Sequence, residues 1–114
     1  MTTDCIFCKI GNGEVESDIL YRGDSCFVIR DIVPKAPTHL LVIPNEHVTF
    51  LSTMDLRHDH TVGEMLRIAH KAADLEGVAG AGYRLVINQG SNSGQAVDHL
   101  HLHLLAGRPL GDMG

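Results

Sequence analysis

Three histidines that alternate with leucines near the end of the chain carry the clearest chemical signal. They are His99, His101 and His103, with leucines between and after them. Successive side chains of a β-strand point to opposite faces, so a strand here would place three imidazoles on one face and the leucines on the other. The plainer interpretation is a row of solvated polar residues, which explains one histidine better than three in strict register. We therefore predict that the histidine face lines a cleft.

Three imidazoles about 7 Å apart on one strand face suit two kinds of site. Neutral imidazole nitrogens bind transition metals. Alternatively, one imidazole attacks phosphorus while its neighbours hold protons and phosphate oxygens. The polar loop before the histidines favours phosphoryl chemistry, because Gly90 and Gly94 allow a ligand to approach the backbone, whose amides can form an anion-binding nest. Such a loop is more often a plain turn, so the metal interpretation stays open at this point.

The composition limits the classes of partner. Lys and Arg total 9 against 14 Asp and Glu, which gives a net charge of −5 with neutral histidine. No basic excess exists to neutralise a nucleic-acid backbone, and no apolar run is long enough to span a membrane. We therefore expect neither nucleic acid nor membrane as a partner. Histidine is over-represented, at 8 of 114 residues, so site chemistry is the stronger expectation.

The cysteines and the first residues favour a reducing, cytoplasmic location. Three cysteines are an odd number, which fits poorly with a disulfide framework. The first residues lack the basic segment and apolar run of a secretion signal. Cys26 lies in an apolar segment, and we expect it to be an inert core residue.

The hydrophobic pattern predicts the elements that position these side chains. A length of 114 residues fits one domain, 1–114. We expect a short helical turn over 5–10, strands over 19–21, 26–29, 39–43, 83–88 and 98–105, and an amphipathic helix over about 55–76. The apolar face of that helix is predicted from Val62, Met65, Leu66, Ala69, Ala72 and Ala73. His58, His60 and His70 lie on or near the helix and are expected to be exposed. Antiparallel strands with one long helix make the class α+β.

The segment 99–105, three alternating histidines followed by two apolar residues, resembles the signature of the histidine triad (HIT) superfamily. Nearly the whole chain is similar to its nucleotide-binding branch, the purine nucleoside phosphoramidases. The other matching segments are Ile6-Phe7 with Lys9-Ile10, Arg30-Asp31-Ile32, Ala36-Pro37-Thr38-His39 with Leu41-Val42-Ile43-Pro44, Gly82-Tyr83-Arg84 through Asn88, and Gly94-Gln95. The resemblance implies a five-stranded antiparallel sheet with one long and one short helix. It also implies a homodimer that joins two sheets into one of ten strands.

The resemblance assigns the phosphate chemistry to the triad and its loop. His101 would attack the α-phosphorus and form a nucleotidyl-histidine intermediate. His103 and the Asn88 amide would hold phosphate oxygens, helped by the loop that contains Gly94, Gln95, Ala96 and Val97.

The resemblance assigns the nucleoside to the strands and the short helix. Asp31 would bind the ribose hydroxyls, and His39 would support the hydrogen-bond network of the triad. The purine would lie against an apolar wall of Ile6, Phe7, Ile10, Ile29, Ile32 and Leu41. For Ile10, Ile29 and Leu41 a plain core role is an equal alternative.

Two features depart from the family pattern. Ala96 stands where many relatives carry a serine that contacts the phosphate and the leaving group. Loss of that hydroxyl would leave attack by His101 possible while it changes the departure of the leaving group. The tail 108–114 also lacks the tryptophan-containing end of the animal proteins. The preferred amine is therefore left open.

A C-x-x-C pair at Cys5 and Cys8 resembles the one in bacterial members that hold a structural zinc. The ligands implied are Cys5, Cys8, His47 and His99. Two thiolates and two imidazoles suit tetrahedral zinc. The alternative is a pair of unliganded thiols in a short helix. If zinc binds, His99 is a structural ligand and not a proton carrier.

The leading hypothesis is hydrolysis of the P–N bond of purine nucleoside 5′-phosphoramidates, with no organic cofactor. Within the superfamily the alternative is a dinucleoside polyphosphate hydrolase. Outside it are a nucleotide-binding regulatory protein with weak catalysis, which Ala96 would favour, and a plain histidine metal site.

Overall fold

An antiparallel sheet organises the chain and carries most of the candidate site. The computed structural model describes residues 5–114, and within them the sheet has five strands in the order β1-β2-β3-β5-β4. The strands are β1 (Ile19–Arg22), β2 (Cys26–Arg30), β3 (Thr38–Pro44), β4 (Tyr83–Val86) and β5 (Leu102–Ala106). The helices are α1 (Ile6–Gly11) and α2 (Asp59–Leu75), with short 3₁₀ turns at Leu51–Thr53, Leu56–His58 and Ser91–Ser93. The predicted α+β class, with five antiparallel strands, one long helix and one short helix, is confirmed.

Helix α2 packs on one face of the sheet through small side chains. Its buried apolar residues are Met65, Ile68, Ala69, Ala72 and Ala73. The alanines let the helix approach the sheet, where the alternate residues of β3 and β5 form the opposing layer. The predicted helix face was wrong at one position: the side chain of Leu66 is 48% exposed, and Ile68 takes its place in the core. A helix turns about 100° per residue, so Leu66 lies at the edge of the stripe centred on residues 65, 69 and 72.

The opposite face of the sheet packs against α1. Its buried residues are Phe7 and Ile10 of the helix with Phe27, Ile29, Leu41 and Ile43 of the sheet. Because β-strand side chains alternate, β2 and β3 serve both layers and are nearly continuous apolar runs. The short helix therefore closes the side of the sheet on which the candidate site lies.

The final strand begins later than predicted. It was expected over 98–105, but β5 starts at Leu102, where its pairing with β3 ends at Val42. Before Leu102 the regular hydrogen bonds between β5 and β3 are replaced by other contacts. The Nε2 of the His99 side chain donates to the carbonyl of Pro44 at 2.8 Å, and the Leu100 amide donates to the carbonyl of Val48 at 2.6 Å. His99 and His101 therefore lie in an irregular segment before the strand.

Within residues 5–114 no helix combines the length and the apolar character needed to cross a bilayer.

Candidate active site

A cleft of about 540 Å³ lies between α1, the sheet and the loop before the triad. Every residue predicted to bind nucleotide lines it except Gln95: Ile6, Phe7, Ile10, Ile29, Asp31, Ile32, Leu41, Asn88, Gly94, Ala96, Val97, His101 and His103. His39 lines it as well. Five further residues that were not predicted from the sequence also line the cleft: Ser17, Arg30, Lys35, Val86 and Leu105. Val86 and Leu105 could have been found from strand alternation, because they share a sheet face with His103.

His101 offers one free ring nitrogen to this cleft. Its Nδ1 lies 2.7 Å from the carbonyl oxygen of His99. A carbonyl oxygen can only accept, so Nδ1 carries the proton and Nε2 of the neutral ring has a lone pair. No residue among 5–114 hydrogen-bonds this Nε2, which is open to the cleft. The ring is held edge-on to Phe7, with 5.1 Å between centroids. Hydrogen bonding and packing therefore orient a nucleophilic nitrogen.

His103 and His39 form a hydrogen-bond chain that fixes a second tautomer. The Lys35 amide donates to Nδ1 of His39 at 3.0 Å, so the proton of neutral His39 lies on Nε2. That Nε2 lies 2.9 Å from Nδ1 of His103 and donates to it. Neutral His103 then carries its own proton on Nε2. The chain leaves an N–H donor on His103 beside the lone pair of His101, whose ring centroid is 4.9 Å away.

Burial keeps both rings of this chain neutral. Desolvation, reinforced by the neighbouring His101 and His39, lowers the pKa of His103 to about 4. Burial also lowers the pKa of His39, and the nearby Asp31 carboxylate, 3.4 Å from its Nε2, opposes that shift only in part. At neutral pH the pair therefore acts through fixed N–H donors and not through positive charge.

The loop before the triad supplies backbone and amide groups. Gly90 and Gly94 both have a φ of 83°, a conformation that favours glycine. Gln95 does not line the cleft; its side chain accepts from the Gly90 amide at 2.8 Å and donates to the Val97 carbonyl at 3.2 Å. The Asn88 side-chain amide lines the cleft and has no hydrogen-bond partner in the described part of the chain. Gln95 thus braces a loop beside an amide that is free to bind a ligand.

His99 does not share the cleft with the other two triad residues. Its side chain is fully buried, and Nε2 donates to the Pro44 carbonyl at 2.8 Å. This bond leaves the lone pair on Nδ1, which lies 3.2 Å from Sγ of Cys5 and 3.6 Å from Sγ of Cys8. The prediction of three imidazoles on one face is therefore wrong, because the chain before β5 is not a regular strand.

Four side chains converge at this second cluster. His47 Nδ1 lies 3.3 Å from Sγ of Cys8, and all four candidate ligand atoms lie within 4.8 Å of one another. Tetrahedral zinc with bonds of about 2.0 Å to nitrogen and 2.3 Å to sulfur places ligand atoms roughly 3.3–3.8 Å apart. The observed sulfur–nitrogen distances of 3.2–3.6 Å fit that geometry. Cys5, Cys8, His47 and His99 can therefore hold a zinc-type cation.

His58 is a residue whose environment the sequence analysis missed. It was predicted to be exposed and is only 4% exposed. Its Nδ1 accepts from the Asp55 amide at 3.1 Å, and its Nε2 lies 3.1 Å from a carboxylate oxygen of Glu46. The Asp55 side chain caps the 3₁₀ turn Leu56–His58, and His58 completes a capping box with it. The three-residue spacing between Asp55 and His58 could have predicted this cap from the sequence. His60 and His70 are exposed as predicted.

Cys26 is buried as predicted, and burial raises the pKa of its thiol to about 12. A thiol with such a pKa is not a nucleophile at neutral pH. The Glu64 carboxylate beside it is buried too, a second residue that the apolar helix pattern did not reveal.

Known proteins similar to this chain share its fold and length. The sequence model described as HIT domain matches residues 12–110. The purine nucleoside phosphoramidase of Escherichia coli (strain K12) is 45% identical over 113 residues, which cover 99% of this chain and 95% of that protein. The HIT family hydrolase from Legionella pneumophila Philadelphia 1 superposes with a TM-score of 0.91 at 41% identity, covering 95% of this chain and 96% of that one. The HIT family hydrolase from Clostridium thermocellum reaches 0.94 at 38% identity, with 99% and 98% covered. By its sequence, its fold and its length, the chain belongs to the HIT domain family.

Proposed function

We propose that this HIT-family hydrolase cleaves the P–N bond of purine nucleoside 5′-phosphoramidates through a nucleotidyl intermediate on His101. The observation that carries the proposal is the geometry of His101, whose tautomer is fixed at 2.7 Å by the His99 carbonyl and whose Nε2 opens into the cleft. The similarity to a purine nucleoside phosphoramidase supports this substrate class.

The first step transfers the nucleotide to the enzyme. The Nε2 lone pair of His101 attacks the α-phosphorus, the P–N bond breaks, and the leaving nitrogen takes a proton from solvent to depart as an amine. The His101 imidazole becomes cationic when it bonds to phosphorus, and its Nδ1–H remains bonded to the His99 carbonyl, which stabilises that charge. The Nε2–H of His103 and the Asn88 amide donate to the non-bridging phosphate oxygens.

The second step releases the nucleotide. Water attacks the phosphorus, the bond from phosphorus to Nε2 breaks, and a proton from the water leaves with solvent. The products are a nucleoside 5′-monophosphate and neutral His101. Over both steps one water is consumed and one amine is formed, so atoms and protons balance.

The rest of the cleft suits a purine nucleoside. Ile6, Phe7 and Ile10 of α1 face Ile29 and Leu41 of the sheet, and together they form an apolar slot for a flat base. Asp31 lies at the mouth, where one carboxylate oxygen accepts from the Val33 amide at 2.8 Å and the carboxylate retains further lone pairs for ribose hydroxyls. Ile32 beside it is 94% exposed and would be covered by a bound nucleoside.

We further propose that zinc is the structural ion of the Cys5, Cys8, His47 and His99 cluster. Zinc would join α1, which carries part of the base wall, to the residue whose carbonyl orients His101. His99 has no ring nitrogen left for the cleft, which supports a structural role for it. Metal analysis of wild-type and Cys5→Ser protein tests this proposal, and an unchanged zinc content would contradict it.

The assembly is proposed to be a homodimer of single-domain chains, 1–114, in the cytoplasm. Among residues 5–114, strand β4 lies at an edge of the sheet and pairs with β5 alone, so a second β4 can pair with it and extend the sheet to ten strands. The molar mass measured by light scattering tests this pairing, and a monomer would contradict it.

Turnover of a fluorogenic adenosine 5′-phosphoramidate by wild type and His101→Ala tests the activity. We expect the variant to lose at least 1,000-fold in kcat, since removal of a nucleophile abolishes the covalent route. Equal rates in both proteins would refute the assignment. Faster turnover of dinucleoside polyphosphates would favour the alternative hydrolase, and nucleotide binding without turnover would favour a regulatory protein.

A further inference from the structure

A buried histidine in the 3₁₀ turn just before α2 is hydrogen-bonded to the loop that carries a proposed metal ligand. The His58 side chain is 5% exposed and its Nδ1 accepts from the Asp55 amide, so the proton of the neutral ring lies on Nε2. That Nε2 donates to Glu46 Oε2 at 3.1 Å. The Arg57 guanidinium donates two hydrogen bonds to the same carboxylate, at 3.2 and 3.0 Å. His58 and Arg57 thus both bind Glu46, the residue immediately before His47.

The segment around Glu46 is also bound on both sides to the neighbourhood of His99. The Pro44 carbonyl accepts from the His99 ring at 2.8 Å, and the Val48 carbonyl accepts from the Leu100 amide at 2.6 Å. Between these two bonds, the Glu46 carboxylate connects the segment to the 3₁₀ turn that precedes α2. His47 points to a different partner, Sγ of Cys8, and its ring contacts that of His99 with 4.9 Å between centroids.

We propose that Glu46 and His58 form a clasp that positions His47 as a metal ligand. The inference rests on the proposed metal centre and assigns it a support outside the four ligands. The two partners of Glu46, Arg57 and His58, contribute unequally to holding its carboxylate in place. The exposed ion pair between Arg57 and Glu46 contributes little on its own. The bond from the buried His58 to a carboxylate is charge-assisted and has a fixed direction. His58 is therefore a positioning residue, since it acts on the metal only through Glu46 and the backbone of His47.

Zinc affinity, measured by competition with a chromogenic chelator, tests the clasp in the full-length protein. We expect His58→Ala to bind zinc 10- to 100-fold more weakly, as is usual when a residue that orients a ligand is removed. His58→Gln retains a side-chain N–H that can reach Glu46 and should recover most of the affinity. His70→Ala removes an exposed histidine of α2 that belongs to no cluster of candidate metal ligands in the described part of the chain, and is the matched control, with wild-type affinity expected.

A second readout follows the geometry of the site directly. The ligand-field spectrum of the Co²⁺-substituted protein should change in His58→Ala and be restored in His58→Gln. If His58→Ala does not fold, Glu46→Ala decides the question, because the Glu46 side chain is 49% exposed and its removal opens no cavity in the core.

The outcomes separate the two proposals. A wild-type protein that binds no zinc overturns the metal centre and the clasp together. Zinc binding by wild type with equal affinity in His58→Ala or Glu46→Ala overturns the clasp alone. A loss in both variants, with rescue by His58→Gln, supports it.

Discussion

Acid should destabilise this protein through His103, and the size of the effect follows from the burial of its ring. Burial lowers the pKa of His103 to about 4 in the folded chain, whereas an unfolded chain has a histidine pKa of about 6.5. As the pH falls below about 6.5, His103 binds a proton in the unfolded state but stays neutral in the folded state. Stability is therefore full at neutral pH, declines as the pH falls, and stops declining near pH 4.

Between pH 7 and pH 5 these two pKa values give a loss of about 2 kcal/mol in the free energy of unfolding. Urea denaturation of wild type and His103→Asn at both pH values measures it. The asparagine carbonyl can still accept from His39, but the variant has no group to titrate, so the other histidines cancel in the comparison. We expect wild type to lose about 2 kcal/mol more than the variant. Equal losses, or a smaller loss in wild type, would refute the claim that His103 is held neutral.

Three further predictions concern the core, the leaving group and the metal. Glu64→Ala should cost about 3 kcal/mol in urea denaturation, because it leaves the Ser25 amide and hydroxyl, each 2.7 Å from the carboxylate, without their acceptor. Glu76→Ala, which removes a more exposed ion pair with Arg30, should cost under about 1 kcal/mol, and a similar cost in both variants would contradict this account. Ala96→Ser should raise kcat for phosphoramidates severalfold, because Ala96 lines the cleft where a hydroxyl could reach the leaving nitrogen; an unchanged kcat would assign that proton to another source. Chelation of zinc should lower the thermal midpoint of wild type but not of Cys8→Ser, and equal shifts in both would place the bound metal elsewhere.

Periodicity predicted the elements of this fold well, because a helix or strand that buries one face has apolar residues at regular spacing in the sequence. Such spacing is found in the two apolar layers on β2 and β3 and in the small-residue face of α2. The start of β5 could not be predicted in this way. The alternation of histidine and leucine continues through 99–104. In the structure, however, the His99 side chain donates to the Pro44 carbonyl, and the regular pairing of β5 with β3 begins only at Leu102.

The candidate site was predicted by the resemblance more than by the pattern. Alternation alone placed His99 beside His101, whereas the structure turns it toward Cys5 and Cys8. The metal-ligand candidates come from three separate parts of the sequence, the pair Cys5 and Cys8, then His47, then His99, and only the fold brings them within 4.8 Å of one another. The buried His58 side chain contacts Asp55 and Glu46, and no hydrophobic periodicity records these contacts.

The location of the covalent nucleotide tests the central claim most directly. Wild-type protein is mixed with an adenosine 5′-phosphoramidate, quenched within the first turnover, digested and examined by mass spectrometry. We expect a burst of amine equal to the amount of enzyme and a nucleotidyl group on His101. A nucleotidyl group on His99 or His103, or a burst that His101→Ala retains, would contradict it.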